Sequence, residues 1–169
     1  MKRGTVKKLS HINANHQAAM VNVGQKPITA RTAIAEGMVK INAALARAIR
    51  RNLLAKGDLL ATARLAGMIA CKRTAEIIPL CHTIPLEHIE VNVTLRGQVI
   101  HIQATARANW KTGVEMEALT AVAAAALTVY DMGKAVDRSM VVGGIRLLTK
   151  TGGANGNYRA PAAASGAAT

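Results

Sequence analysis

Residues 111–134, KTGVEMEALTAVAAAALTVYDMGK, constrain the fold more than any other stretch of the chain. They hold Glu115, Glu117 and Asp131, three of only nine acidic residues in a protein of net charge +13. Between the acidic ends, residues 118–128 are almost uncharged and rich in alanine, with Leu119, Val122 and Leu127 supplying bulk. No proline or glycine interrupts this run, so it predicts a buried helix. Charged groups at both ends of an apolar helix require either capping or chemistry.

The remaining composition narrows the class. A chain of 169 residues is the size of one domain with a real core. Half of the residues are hydrophobic, yet Phe is absent and aromatics make up 2%, so the core must be aliphatic. No apolar run reaches the roughly 18–20 residues of a membrane span. The basic N-terminus (Lys2, Arg3, Lys7, Lys8) is not followed by the apolar segment of a signal peptide. Cys71 and Cys81 are too few for a disulfide framework and lack metal-type spacing. A soluble cytoplasmic protein is the expectation. The high positive charge favours polyanionic partners, whether nucleic acid, an anionic membrane surface or phosphorylated small molecules.

Residues 1–9 read as a flexible basic arm, 10–153 as a single domain, and 154–169, rich in Ala, Gly and Ser, as a disordered tail. Within the domain, 28–41 reads as a strand. Asn42 caps a helix with Leu45, Ile49 and Leu53 on one face. Asp58 caps a second helix running to about Ile77, burying Leu59, Ala63, Ala66 and Ala70, and stopped by Pro79. Residues 89–95 alternate, with Ile89, Val91, Val93 and Leu95 on one face. Residues 99–107 do so less cleanly, and the Arg96-Gly97-Gln98 turn between them predicts a β-hairpin. The long helix and a last strand near 140–148 complete a split βαββαβ order with one extra helix. The expected architecture is a ferredoxin-like α+β sandwich, an antiparallel sheet with helices packed on one face.

Glu117 and Asp131 lie fourteen residues apart and share roughly one helix face, but the axial separation is about 21 Å at ~1.5 Å per residue. Both ends of one helix cannot grip the same atom. Either the site holds an elongated ligand or another subunit completes it. Capping alone accounts for Glu115 and Glu117 near the N-terminus and Lys134 near the C-terminus. It does not account for Asp131 at the negative end of the dipole, although an Asp131–Lys134 surface pair would. His82 lies between Pro79 and Pro85 in IPLCHTIPL, where a satisfied loop histidine is the plain reading. Metalloprotease, P-loop, dinucleotide and serine-elbow motifs are absent. The KTGG run at 150–153 has the glycines of a phosphate-binding turn, a weak signal by itself.

Several runs together carry a family resemblance: KPITARTA (26–33), KGDLLATARLAGMIACKRTAEIIPLCH (56–82), KTGVEMEALTA (111–121), LTVYDMGKA (127–135) and IRLLTKTGG (145–153). Over about residues 10–153 the chain resembles the cyclic pyranopterin monophosphate synthases of early molybdenum cofactor biosynthesis. The resemblance implies a lyase without a redox cofactor, leaving open a Mg²⁺ ion with the triphosphate. Its substrate would be 3′,8-cyclo-dihydro-GTP and its products cyclic pyranopterin monophosphate and pyrophosphate. It also implies a homohexamer, a trimer of dimers with sites at subunit interfaces. Carried over by motif, the active-site acid is Asp131 and the essential lysines are Lys56 and Lys134. Substrate contacts fall on Leu80, Cys81 and His82, and on Met116 and Glu117 with Glu115 beside them. Lys26, Arg31 and Lys150 fall at basic positions expected to hold phosphate. Asp131, Glu117, His82 and a lysine of lowered pKa would then shuttle protons.

The chain departs from the family pattern at Asn22, where Asp is expected, at Ala154 and Asn155 in place of Lys-Ser, and at Asn109-Trp110. Those departures motivate one competing reading, a catalytically weakened paralogue that binds nucleotide or scaffolds partners. The charge motivates another, a nucleic-acid-binding protein, against which stands the near absence of aromatic side chains for base stacking.

Overall fold

Alternating burial along one strand organises the molecule. In β1 (Thr29–Lys40), Ala33, Ala35, Gly37 and Val39 are buried while their neighbours are more exposed, the period of two that puts alternate side chains on opposite faces. The computed structural model describes residues 17–154 and 156–161. β1 is followed by α1 (Ala43–Arg50), α2 (Leu59–Lys72), a single turn α3 (Thr74–Ile77), β2 (His88–Arg96), β3 (Val99–Trp110), α4 (Glu115–Gly133), β4 (Val141–Thr151) and β5 (Tyr158–Arg159). The strands form one antiparallel sheet in the order β2-β3-β1-β4-β5. The first four give the ferredoxin-like order expected of a split βαββαβ chain.

Both helix caps anticipated in the sequence form. The Asn42 side chain accepts from Leu45 N–H at 2.8 Å, and that of Asp58 from Ala61 N–H at 3.0 Å. The β2–β3 hairpin turns at residues 97–98, with Arg96 opposite Val99 and Ile89, Val91, Val93 and Leu95 on the more buried face. The core is aliphatic as composition requires, built from Val39, Leu45, Leu59, Ile100, Ile102, Val122 and Val129 among many alanines.

Four local expectations are corrected. α1 ends at Arg50, and Asn52 follows with φ of 51°, so Leu53 leaves the helical face and is 69% exposed. The second helix breaks at Arg73 rather than running to Ile77, where the Thr74 hydroxyl takes up the Cys71 carbonyl at 3.0 Å. Gly67 and Cys71, not Ala66 and Ala70, fill the buried stripe of α2. The segment 158–159, assigned above to a disordered tail, instead pairs with β4 through Thr149–Arg159 and Lys150–Tyr158. The 1–9 arm and residues 162–169 lie outside the described residues.

α4 packs against both the sheet and α2, and it comes close to glycines in each. A Cβ on Gly67 would stand 2.9 Å from the Ala121 carbonyl oxygen and 3.4 Å from the Ala125 methyl. One on Gly37 of β1 would stand 2.7 Å from Val122 Cγ1. Replacing a helical glycine by alanine ordinarily stabilises by about 1 kcal/mol. At Gly67 the added methyl meets backbone that cannot rotate aside, and overpacking of about 1–3 kcal/mol outweighs the propensity gain. Gly67→Ala is therefore expected to lower stability in urea denaturation, and a stabilised variant would contradict the packing described.

Candidate active site

α4 runs unbroken from Glu115 to Gly133, so its two ends hold chemically distinct clusters about 21 Å apart. At the C-terminal end, Asp131 receives two ammonium groups. Lys134 Nζ donates to Oδ1 at 2.7 Å, and Lys56 Nζ, from the α1–α2 loop, donates to Oδ2 at 2.7 Å and to the Asp131 carbonyl at 3.1 Å. Lys134 is held because its own N–H closes the helix onto Tyr130 O at 2.9 Å. The hydrogen bond from Lys134, then that from Lys56, bring the Asp131 carboxyl down from 3.8 to about 2. The side chains are more than half exposed, so solvent reaches all three.

The N-terminal cluster is built differently. Glu115, in the first turn, folds back over Gly113 and pairs with Lys150 of β4 at 3.5 Å. Glu117 is buried, 3% exposed, and its Oε2 has no hydrogen-bond partner among the described residues. Burial raises its carboxyl from 4.5 to about 7; a backbone hydrogen bond opposes this, and the charge of Glu115 adds to it. Cys71 and Cys81 lie within reach of its charge. Burial, with Glu117 next, pushes the Cys71 thiol up to about 12 and also raises that of Cys81. Leu80, Cys81 and His82 are half-buried, whereas Met116 and Lys26 are exposed.

The chain ahead of β1 is tied to this end. His82 Nε2 lies 2.9 Å from the Val21 carbonyl, so that nitrogen carries a proton and donates. Lys111 Nζ donates to the Gly24 carbonyl at 2.8 Å. Arg31 Nε donates to the Trp110 carbonyl at 3.3 Å. An open cleft of about 500 Å³ borders the same end, lined by Glu115, Arg146, Leu147, Lys150, Asn157 and Tyr158.

The structure thus brings Lys56, Asp131 and Lys134 together at one end of α4, and Glu115, Glu117, Cys81 and Lys150 at the other. It does not bring Glu117 to Asp131. Sequence reasoning gave Lys111 no role, although it opens the KTG run, and it missed the Trp110 carbonyl because a backbone acceptor leaves no residue-type signal. Among the described residues, no group of three or more His, Cys, Asp or Glu side chains is placed to hold a metal ion.

The Glu117 carboxyl makes stability depend on pH. Its folded pKa lies above its unfolded value, so it carries no penalty below about 4.5, and folding loses stability as pH rises towards about 7. The displacement corresponds to roughly 3 kcal/mol. Glu117→Gln is expected to remove that dependence, with its stability relative to the unsubstituted protein improving by this order between pH 4 and pH 8. Parallel pH profiles for the two proteins in urea would contradict a neutral buried carboxyl.

Residues 20–153 match the MoaC family. The chain is similar to the cyclic pyranopterin monophosphate synthase of Chloroflexus aggregans, 52% identical over 92% of this chain and 96% of that one. It is similar to the synthase of Thermomicrobium roseum at 51% identity, covering 89% and 92%, and to that of Parvibaculum lavamentivorans at 47%, covering 91% and 98%. With the match spanning the domain from ahead of β1 to the end of β4, the chain belongs to the MoaC family.

Proposed function

We propose that this protein is a cyclic pyranopterin monophosphate synthase, a lyase of molybdenum cofactor biosynthesis. It converts 3′,8-cyclo-dihydro-GTP to cyclic pyranopterin monophosphate and pyrophosphate without a redox cofactor. The observation that carries the reading is the Lys56–Asp131–Lys134 network, two ammonium groups ordered on one carboxylate at the motif positions. Loss of pyrophosphate builds negative charge on the leaving group, and preorganised cations stabilise that charge best. Asp131, with its carboxyl near 2, stays ionised at neutral pH and fixes both lysines. Glu117, near 7, is the carboxyl matched to proton transfer at neutral pH, as general acid–base catalysis requires. Arg31, Lys26 and Lys150 hold phosphate, and His82, Cys81, Leu80 and Met116 contact the base. No helix among the described residues is long and apolar enough to cross a membrane, and the proposed setting is the cytoplasm.

The working unit is an oligomer, proposed as a trimer of dimers. Two halves of a site about 21 Å apart on one helix need a second copy to meet around one nucleotide. Exposed apolar side chains on the outer faces of α2 and α4, Leu65, Ile69 and Leu127, supply surface that a second copy would cover.

Incubation with the cyclised nucleotide, assayed for pyranopterin and pyrophosphate, tests the activity directly. Lys56→Ala and Asp131→Ala are each expected to slow pyrophosphate release by roughly 10²–10³-fold with the oligomer intact. Normal turnover by both would sink the assignment. Tight nucleotide binding without turnover by the unsubstituted protein would favour a weakened paralogue instead. Subunit sharing has its own test: co-refolded Asp131→Ala and Glu117→Ala chains should regain activity that neither has alone. Mixed oligomers that stay inactive would place each site within one chain.

A further inference from the structure

The Arg31 side chain leaves β1 on the face shared by Ala33 and Ala35 and runs to the turn between β4 and β5. Its Nε–H is taken by the Trp110 carbonyl, which fixes one edge of the guanidinium. The rest of the fork lies over Gly153, where a Cβ would overlap Nη1 and stand 2.8 Å from Cζ. Gly152 and Gly153 both have left-handed backbone, with φ of 88° and 87°. The turn closes on bonds that do not involve Arg31: Gly152 N–H to Asn157 Oδ1 at 3.2 Å, and Gly156 N–H to the Gly153 carbonyl at 3.1 Å. Among the described residues no carboxylate pairs with Arg31, so its charge is held in place without being neutralised there.

We infer that Gly153 is a positioning residue: its missing side chain berths the Arg31 guanidinium and sets where that charge meets the substrate's phosphate. The inference rests on the synthase reading for the identity of the anion. The two glycines differ in what they exclude. A Cβ on Gly152 collides with the Ala30 carbonyl, which is strand backbone, so substitution there disturbs β1. A Cβ on Gly153 collides with the end of a long, flexible side chain, so Arg31 swings away while the turn persists. Gly156 supplies a control for backbone strain. It lies in the same turn with φ of 69°, and nothing stands within 4 Å of its added Cβ.

The experiment measures inorganic triphosphate binding by calorimetry, and KM and kcat with the cyclised nucleotide. Gly153→Ala and Arg31→Ala should each weaken triphosphate binding by about tenfold or more, as loss of charged hydrogen bonds implies. KM should rise more than kcat falls. The double variant should be no worse than Arg31→Ala, because Gly153 acts only through that side chain. Gly156→Ala should bind like the unsubstituted protein. Unchanged binding by Gly153→Ala, additive losses in the double variant, or an equal loss in Gly156→Ala would each overturn the inference. If Gly153→Ala alone fails to fold, the double variant must fold, since the berth is then empty; its failure would overturn the inference too. An unsubstituted protein that binds triphosphate in this pattern yet does not turn over the nucleotide refutes the synthase reading and leaves the berth standing.

Discussion

The approach of α4 to Gly37 and Gly67 is the contact on which the rest of the structure depends. Without side chains at those positions, the helix settles against β1 on one side and α2 on the other. The same closeness explains why its interior face is Ala118, Ala121, Ala125 and Ala126, with Val122 and Val129 for volume. Larger side chains would push the layers apart, and a break in the helix would expose backbone groups that burial leaves no water to satisfy. Packing therefore enforces a continuous α4. A continuous α4 in turn fixes two charged clusters at a separation neither can shorten. The composite, shared site proposed for this protein follows from that rigidity rather than from the charged residues themselves.

The two ends of α4 resolve the same electrostatic problem in opposite ways. A carboxylate at a helix N-terminus gains from the dipole, typically 0.3–1 kcal/mol and less when screened. Glu117 sits there and accepts a backbone hydrogen bond, yet its carboxyl rises to about 7. Desolvation in a site shared with Cys71 and Cys81 outweighs the helix dipole and the backbone hydrogen bond together. Asp131 has the unfavourable end of the dipole but remains in water and gains two ammonium partners. Direct hydrogen bonds from Lys134 and Lys56 prevail there, and the carboxyl falls to about 2. One helix thus carries a carboxyl that exchanges protons near neutrality and another that does not, set by burial and partners rather than by residue type.

Much of this was legible in the sequence because the signals are local. Asn42 and Asp58 each cap a backbone N–H donor three residues on, and the period-two alternation of 89–95 needs only its own neighbours. The ferredoxin-like architecture followed from the succession of elements. What stayed hidden depends on contacts between distant segments. Leu127 reads as core from an apolar run but is 65% exposed, because period alone does not reveal which side of α4 lacks a neighbour. β5 was invisible because two residues have no periodicity, and their pairing depends on β4 presenting a free edge. The break at Arg73 turns on a threonine hydroxyl that takes a carbonyl from the helical ladder. The ties from His82 to Val21 and Lys111 to Gly24 end on backbone carbonyls, which every residue has.

Asn155 lies outside the described residues, and the other departures from the family pattern can be weighed by what the side chains do here. Asn22 Oδ1 accepts from Gly24 N–H at 2.8 Å, closing a small turn just before the carbonyl that Lys111 holds. An aspartate offers the same acceptor, so the turn does not distinguish the two residues; the difference is one negative charge beside Lys26 and Lys111. Asn109, near the end of β3, donates to both carboxylate oxygens of Glu87, just ahead of β2, at 3.0 and 2.9 Å. Ala154 removes a cation from the turn after Gly153, but Arg31 already lies over that turn from β1, and Lys150 of β4, three residues before Gly153, pairs with Glu115. A loop cation is the most exposed and therefore the most screened of these charges, and its loss costs least where two strand-anchored cations remain. The substitutions leave the Lys56–Asp131–Lys134 network and the buried Glu117 untouched, which makes an active enzyme the simpler consequence of this geometry than a weakened one.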